Sequence, residues 1–299
     1  MNIESLKSFF LIAKEGNISN VTNAVHLTQS ALSQQIQRLE NELSKKLLIR
    51  SNKGVELTTS GKIVFKYAEH ILRIHEKMMM ELTEVENASA NIKIQACSSA
   101  ADYVLPCTLI TANKAYPNHN YELTSNPSNE IITNVSKDIC DIGFSCVSDI
   151  DNYSPELVIE KVGTIKIVLV SKNDSSFPDE ISLEQLLASC LITFTERNNI
   201  TNTLVKNLTA LGYAKNCFNC NLRVEGIESA KKLVYKDFGV AFVPYISIKE
   251  ELYKKQFKMI TVPELSMDLD IIMIYKKGCS GHVKDFVLWF KKYGAKSFC

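Results

Sequence analysis

Apolar positions recur at three- and four-residue steps through the first third of the chain, and then the rhythm changes. Leu6, Phe9, Phe10 and Ala13 line one face of a first amphipathic helix that ends near Gly16. Ser19 stands where an N-cap belongs for a short second helix containing Val21, Ala24 and Val25. A tight turn leads to Thr28, the cap of a third helix whose stripe is Ala31, Leu32, Ile36, Leu39 and Leu43. Leu47-Leu48-Ile49 and Val55-Glu56-Leu57-Thr58 flank the turn signal Ser51-Asn52-Lys53-Gly54 and predict two short strands. From Lys62 to Glu86 no Gly or Pro intervenes. Val64, Tyr67, Ile71, Ile74, Met78, Leu82 and Val85 follow at steps of three or four, close to the a/d seam of a coiled coil.

After Asn87-Ala88-Ser89-Ala90, which reads as a hinge, short apolar runs alternate with helical periods. Strands are predicted over 92–97, 121–124, 141–144, 165–170, 191–194, 221–224, 240–243, 259–262 and 270–275. Helices are predicted over 104–116, 130–136, 201–211, 229–235, 245–252 and 282–293. Such alternation implies α/β architecture with parallel sheets, and its length implies two lobes with a cleft between them. Ligands in such sheets lie beyond the carboxyl ends of the strands.

Composition narrows the class. The 299 residues are 45% hydrophobic and 22% charged, as in ordinary globular proteins. The N-terminus, with Glu4, Lys7 and Lys14, is not a signal peptide, and no run of about 18 apolar residues predicts a membrane span. Nine cysteines, an odd number in a long chain, read as reduced thiols of a cytoplasmic protein. The net charge of +1 hides an asymmetry: residues 1–80 hold eleven Lys/Arg against seven Asp/Glu. That end is the one suited to a polyanion.

The polar side of the third helix carries Thr28, Gln29, Ser30, Ser33, Gln34, Gln37 and Arg38, with no acid before Glu40. Amides, hydroxyls and a guanidinium read base edges and phosphates in a major groove, although the same face also fits a plain solvated helix. The short helix pair makes a helix-turn-helix, and the hairpin beyond it a wing that offers Arg50 and Lys53 to phosphate or minor groove.

This region resembles the LysR-type transcriptional regulators. The matching features are Ile3, Leu6 and Phe9, then Gly16-Asn17-Ile18-Ser19, and Thr28-Gln29-Ser30-Ala31-Leu32-Ser33-Gln34-Gln35-Ile36. They continue through Leu39-Glu40, Leu43, Leu47-Leu48, Arg50, Gly54-Val55, Leu57-Thr58 and Ser60-Gly61. The family's usual Pro, Arg, Phe and Ala-Ala are replaced here by Ser30, Gln34, Leu48 and Val21-Thr22. An amide at Gln34 suits adenine where a guanidinium suits guanine. The resemblance implies double-stranded DNA as partner, a homodimer through the long helix and often a homotetramer. Looser matches occur at Leu105-Pro106, Tyr116-Pro117, Asp141-Ile142-Gly143, Glu228-Ser229-Ala230 and Gly239 to Pro244. They imply a C-terminal two-lobed effector domain similar to type 2 periplasmic binding proteins. On that reading residues 1–60 are a winged helix-turn-helix and 61–90 a linker and dimerisation helix. Residues 91–299 are the effector domain, with lobe one at 91–161 and 267–299 and lobe two at 162–266.

The strand ends supply candidate effector contacts. Cys97-Ser98-Ser99-Ala100 joins a strand to a helix, where N–H groups and hydroxyls suit an oxyanion, although an ordinary Ser cap would look the same. Thr195 and Arg197 occupy the equivalent turn of lobe two, and in relatives the residues aligned with Ser99 and Thr195 line the effector site. Asn126, Ser128, Phe144 and Glu225 end other strands. A small polar, anionic metabolite is expected, closing the lobes and changing how the paired helices engage DNA. No metal or cofactor is expected, because Cys217-Phe218-Asn219-Cys220 has no second pair or His partner at zinc spacing. No nucleophile–base constellation stands out, so the chain is not expected to be an enzyme. The alternatives are a redox sensor using Cys217 and Cys220, or a free solute-binding protein or enzyme of the cleft fold; the helix-turn-helix and the absent signal peptide argue against the latter.

Overall fold

The computed structural model describes residues 2–25, 27–51, 54–87, 90–146, 154–195, 198–214, 217–219 and 222–295. At 19, 23–25, 50, 51, 80, 81 and 83–87 the description extends to the backbone alone. The chain divides into two units, residues 1–87 and 88–299.

The first unit begins with α1 (Ile3–Glu15), capped by Asn2, whose side chain accepts the Glu4 N–H, and closed by Gly16 in the left-handed region. Helix α2 (Ile18–Val25) starts before Ser19, so the expected cap residue lies inside the helix. Helix α3 (Gln29–Leu43) is capped by Thr28, whose Oγ1 accepts the Ala31 N–H at 3.2 Å. Strands β1 (Leu48–Ser51) and β2 (Gly54–Leu57) pair antiparallel, and α4 runs over Thr59–Asn87. Leu6, Phe9, Ile12, Val21, Leu32, Ile36, Leu39, Leu47 and Ala68 form the core. Gly61 is required at the start of α4, since a Cβ there would meet the Leu47 carbonyl oxygen at 2.1 Å.

In the second unit one sheet has the order β4-β3-β5-β12-β6 and the other β11-β7-β10-β8-β9. The first contains β3 (Asn91–Ala96), β4 (Asn120–Ser125), β5 (Ile142–Ser145), β6 (Leu157–Ile165) and β12 (Leu269–Lys276). Its helices are α5 (Ser98–Tyr103), α6 (Leu105–Ala115), α7 (Ser128–Ser136) and α12 (Gly281–Lys292). The second contains β7 (Ile167–Lys172), β8 (Leu191–Phe194), β9 (Arg223–Val224), β10 (Val240–Pro244) and β11 (Phe257–Ile260). Its helices are α8 (Leu183–Ala188), α9 (Asn199–Ala210), α10 (Ile227–Tyr235) and α11 (Lys249–Tyr253). Strands β5, β8 and β10 are buried along their whole length, as strands covered on both faces must be.

Three details differ from the sequence expectation. The sheets are mixed: β12 runs antiparallel to β5 and β6, and β7 antiparallel to β10 and β11. The chain leaves the first sheet after β6 and returns through β12, so the returning strand must run against its neighbours. The helix expected at 104–116 is α6, and an unexpected short helix, α5, precedes it; the two meet at Val104, because Pro106 has no N–H to continue α5. Strand β6, the partner of β12, was not expected: its apolar run is only Leu157-Val158-Ile159 before Glu160 and Lys161, and its residues are mostly half-buried.

Glu40, 6% exposed, ties α3 to the wing. Its Oε1 accepts the N–H groups of Leu47 and Leu48 at 2.8 and 3.3 Å, and Oε2 meets Lys46 Nζ at 2.7 Å. Burial alone would raise its pKa, but the Lys46 ammonium and the two N–H groups hold it below the ordinary 4.5. The carboxylate therefore contributes stability that is present above about pH 4.5 and is lost as pH falls through the lower folded value. Replacing Glu40 by Ala is expected to destabilise this unit by about 2–3 kcal/mol and to flatten its acid transition, read by urea denaturation at pH 7 and pH 4. Unchanged stability at pH 7 would refute the clamp.

Candidate DNA-reading face and effector cleft

Helix α3 buries Leu32, Ile36 and Leu39 and turns its other side outward. Thr28, Gln29, Ser30, Gln34, Gln37 and Arg38 are exposed, and Ser33 is half-buried. Gln35 belongs to the inner side, where its Oε1 accepts the Ser8 hydroxyl of α1. Thr28 and Ser30 share a hydroxyl–hydroxyl bond of 3.0 Å at the leading end. Arg50 lies in β1 by its backbone, while its side chain and Lys53 lie outside the described residues.

The cleft of the second unit encloses about 410 Å³. Residues just past the strand ends build it: Cys97, Ser98 and Ser99 after β3, Asn126 and Ser128 after β4, Cys146 after β5, Thr195 after β8, and Glu225 and Gly226 after β9. Parallel strands bring these ends to one side, so the chemistry collects there. Ser125, Pro127 and Leu269 complete the wall with Asp102, Glu130, Asn198 and Asn199.

Asn199, the first residue of α9, reaches across. Its Nδ2 donates to Ser128 Oγ at 2.5 Å and to the Cys146 carbonyl at 2.6 Å. Ser128 Oγ also accepts the Cys146 N–H at 3.2 Å. The two thiols face each other, Cys97 Sγ to Cys146 Sγ 2.9 Å. Thr195 donates its N–H to the Val224 carbonyl, but its buried Oγ1 has no hydrogen-bond partner among the described residues. That atom has a bond to offer a ligand.

The charge of the wall is one-sided. Asp102, Glu130 and Glu225 line it, and no Lys, Arg or His stands among its described residues. Burial, then the nearby Glu228 carboxylate, pushes the Asp102 carboxyl above its ordinary range. Just beyond, Tyr103 Oη donates to Glu228 Oε1 at 2.8 Å. The buried Lys231 ammonium bridges Glu228 and Glu251 at 2.9 and 2.6 Å, and donates to the Ser247 carbonyl at 2.7 Å. The Lys231 ammonium is thus already neutralised away from the wall.

Cys97, Ser98, Ser99, Asn126, Ser128, Thr195 and Glu225 come together as the sequence expected. Ala100 and Phe144 do not reach the space: both are fully buried beneath it, the Phe144 ring 4.8 Å from that of Phe290. Strand β5 runs one residue further than expected, so Cys146, not Phe144, stands at its mouth. Arg197 lies outside the described residues, as does Cys220, while Cys217 is half-buried. Asp102, Glu130, Asn198 and Asn199 were missed because they enter from short helices and a helix cap, where sequence marks them only as ordinary polar residues. Among the described residues no helix is long and apolar enough to cross a membrane, and no group of three or more potential metal ligands occurs.

A winged helix-turn-helix and a two-lobed ligand-binding unit in one chain define a ligand-responsive DNA-binding protein. Residues 3–62 match the bacterial regulatory helix-turn-helix protein family of lysR type, and residues 86–295 match the LysR substrate binding domain. The chain belongs to the LysR family: it is a LysR-type DNA-binding transcriptional regulator with an effector-binding domain. It is 31% identical over 194 residues to the HTH-type transcriptional regulator GltR of Bacillus subtilis, covering 65% of this chain and 64% of that one. It is 24% identical to a probable RuBisCO transcriptional regulator of Trieres chinensis, over 93% of this chain and 91% of that one. Among solved structures, full-length CbnR complexed with its target DNA superposes with a TM-score of 0.72 at 19% identity, covering 98% of this chain and 100% of that one. At that identity the likeness shows the fold alone.

Removing the Arg38 guanidinium by an Arg38→Ala change is expected to weaken DNA binding for all sequences alike and to lower the salt slope by about one. Gln34→Arg is expected to change base preference by roughly 1–3 kcal/mol at one position while leaving the salt slope nearly intact. Binding isotherms at several salt concentrations on a randomised half-site library separate the two effects. An Arg38→Ala protein with unchanged affinity would show that this end of α3 stays clear of phosphate.

Proposed function

We propose that the cleft binds a small zwitterionic metabolite of amino-acid type and that its binding alters transcription by changing how paired recognition helices engage DNA. The observation that carries this is the wall itself: three carboxylates without a cation among the described lining, facing hydroxyls that include the unpartnered Thr195 Oγ1. A simple anion, as the sequence alone led us to expect, would meet Asp102, Glu130 and Glu225 with no compensating charge. An ammonium group satisfies those carboxylates. The ligand's acidic end then lies against Ser98, Ser99, Asn126 and Thr195.

On this reading residues 1–60 read DNA, 61–90 pair two protomers and 91–299 sense the effector, in the cytoplasm where the DNA is. Pairing is supported by α4. Val64 and Ile71 of its stripe rest on the winged-helix core, but Tyr67, Ile74, Met78 and Leu82 are exposed, Met78 at 48% and Leu82 at 58%. Exposed apolar residues at seam spacing need a partner helix.

A thermal-shift screen with α-amino acids and with matched carboxylic acids lacking the amine tests the ligand class. Amino acids are expected to raise the melting temperature and the amine-free acids to leave it unchanged. Thr195→Ala is expected to weaken binding about fivefold, one net hydrogen bond. A shift by the amine-free acids alone would overturn the zwitterion. Met78→Glu combined with Leu82→Glu is expected to give monomers that bind DNA poorly, by light scattering and gel shift; an intact dimer would exclude this face.

A further inference from the structure

We infer that Cys97 and Cys146 are an oxidisable dithiol, a covalent modification site in the cleft wall that a small hydroperoxide converts to a disulfide. The two sulfurs are 2.9 Å apart. They lie just past neighbouring parallel strands, β3 and β5, in which Ala96 pairs with Phe144, and the Cys97 N–H donates to the Phe144 carbonyl at 2.8 Å. Adjacent strands lie about 4.8 Å apart, within the reach of a disulfide's backbone span. Closing to bond length requires a movement of about 0.9 Å in sulfur position. That is a rotamer adjustment. Both side chains line the cleft, so a molecule small enough to enter meets both.

The surroundings assign the two roles. The Cys146 S–H and, behind it, the Ala100 N–H hold the Cys97 thiol below its usual range against the opposing effect of burial. Cys146 is pushed up, by its contact with Cys97 and by burial, and keeps its proton. Cys97 is therefore the attacking thiolate and Cys146 the resolving thiol. The Cys97 thiolate attacks one peroxide oxygen and the O–O bond breaks. The departing hydroxide takes up a proton as water, leaving a sulfenic acid on Cys97. Cys146 gives up its proton, its sulfur attacks the Cys97 sulfur, and the second oxygen leaves as water. Two thiols and one hydroperoxide give one disulfide and two oxygen products at the level of water or alcohol; the two electrons come from the sulfurs.

The consequence lies in the position of Cys146. Its carbonyl accepts from Asn199 of the other lobe, and its N–H donates to Ser128, which Asn199 also reaches. A bond to Cys97 draws this residue toward β3 and alters the cleft. Oxidation here does not depend on which metabolite the cleft takes. It also differs from oxidation at Cys217 and Cys220, which fall in the sequence between β8 and β9.

The test uses full-length protein, reduced, freed of reductant and treated with equimolar hydrogen peroxide, then alkylated and mapped as peptides without reduction. A cross-linked peptide joining Cys97 to Cys146, and loss of both thiols from the alkylated pool, is expected. In Cys146→Ser, dimedone is expected to label Cys97; in Cys97→Ser, Cys146 is expected to stay unlabelled. The wild-type map decides even where a variant folds poorly. Cys97 and Cys146 still alkylated after peroxide, or joined instead to other cysteines such as Cys217 or Cys220, would overturn the inference. Failure of the amino-acid screen would leave this result untouched.

Discussion

The effector unit depends on one polar contact, the Asn199 amide held between Ser128 Oγ and the Cys146 carbonyl. It joins the first turn of α9 in one lobe to two strand ends of the other. Buried amides and hydroxyls tolerate little displacement, because a lost partner leaves a desolvated group. Together with the Tyr103 Oη bond to Glu228 Oε1, which also runs from one lobe to the other, the contact ties the two walls of the cleft. A ligand able to satisfy the same groups competes with it directly.

The first unit rests on the equivalent device at smaller scale. Glu40 stands at the end of α3 and accepts from the first residues of the wing. The recognition face and the wing are thus placed relative to each other by a charged side chain inside the domain, not by the loop between them. Gly61 completes the arrangement by letting α4 start against the Leu47 carbonyl. What α3 offers outward is amides, hydroxyls and Arg38. Ser30 and Gln34, where the family usually has Pro and Arg, stand on that outward side, whereas of the other departures Val21 and Leu48 lie in the core.

In the cleft, residue types taken one by one and the assembled wall point to different ligand charges. Ser98, Ser99 and Thr195 look like an anion cradle when read one strand end at a time. Folding adds Asp102 and Glu130 from helix turns and commits Lys231 to Glu228 and Glu251. The sum, among the described residues, is a wall with three carboxylates beside the hydroxyls. The same convergence brings Cys97 and Cys146 together from positions far apart in the chain.

The sequence by itself determined the elements and the class. Period-3.6 stripes on α1, α3 and α4, the Thr28 cap and the turn at Ser51 to Gly54 are local features. Local spacing is enough to set a helix face or a hairpin. It also placed Ser99, Ser128 and Thr195 at strand ends, because strand ends are where parallel sheets put their ligands. Only the tertiary structure decided the rest. Pairing direction placed β6 and β12 antiparallel, and strand length put Cys146 at the cleft and Phe144 beneath it. The convergence of distant turns brought Asn199 onto Ser128 and left Thr195 Oγ1 without a partner among the described residues. Those outcomes depend on contacts between residues far apart in sequence, and a pattern with a period of a few residues carries no record of them.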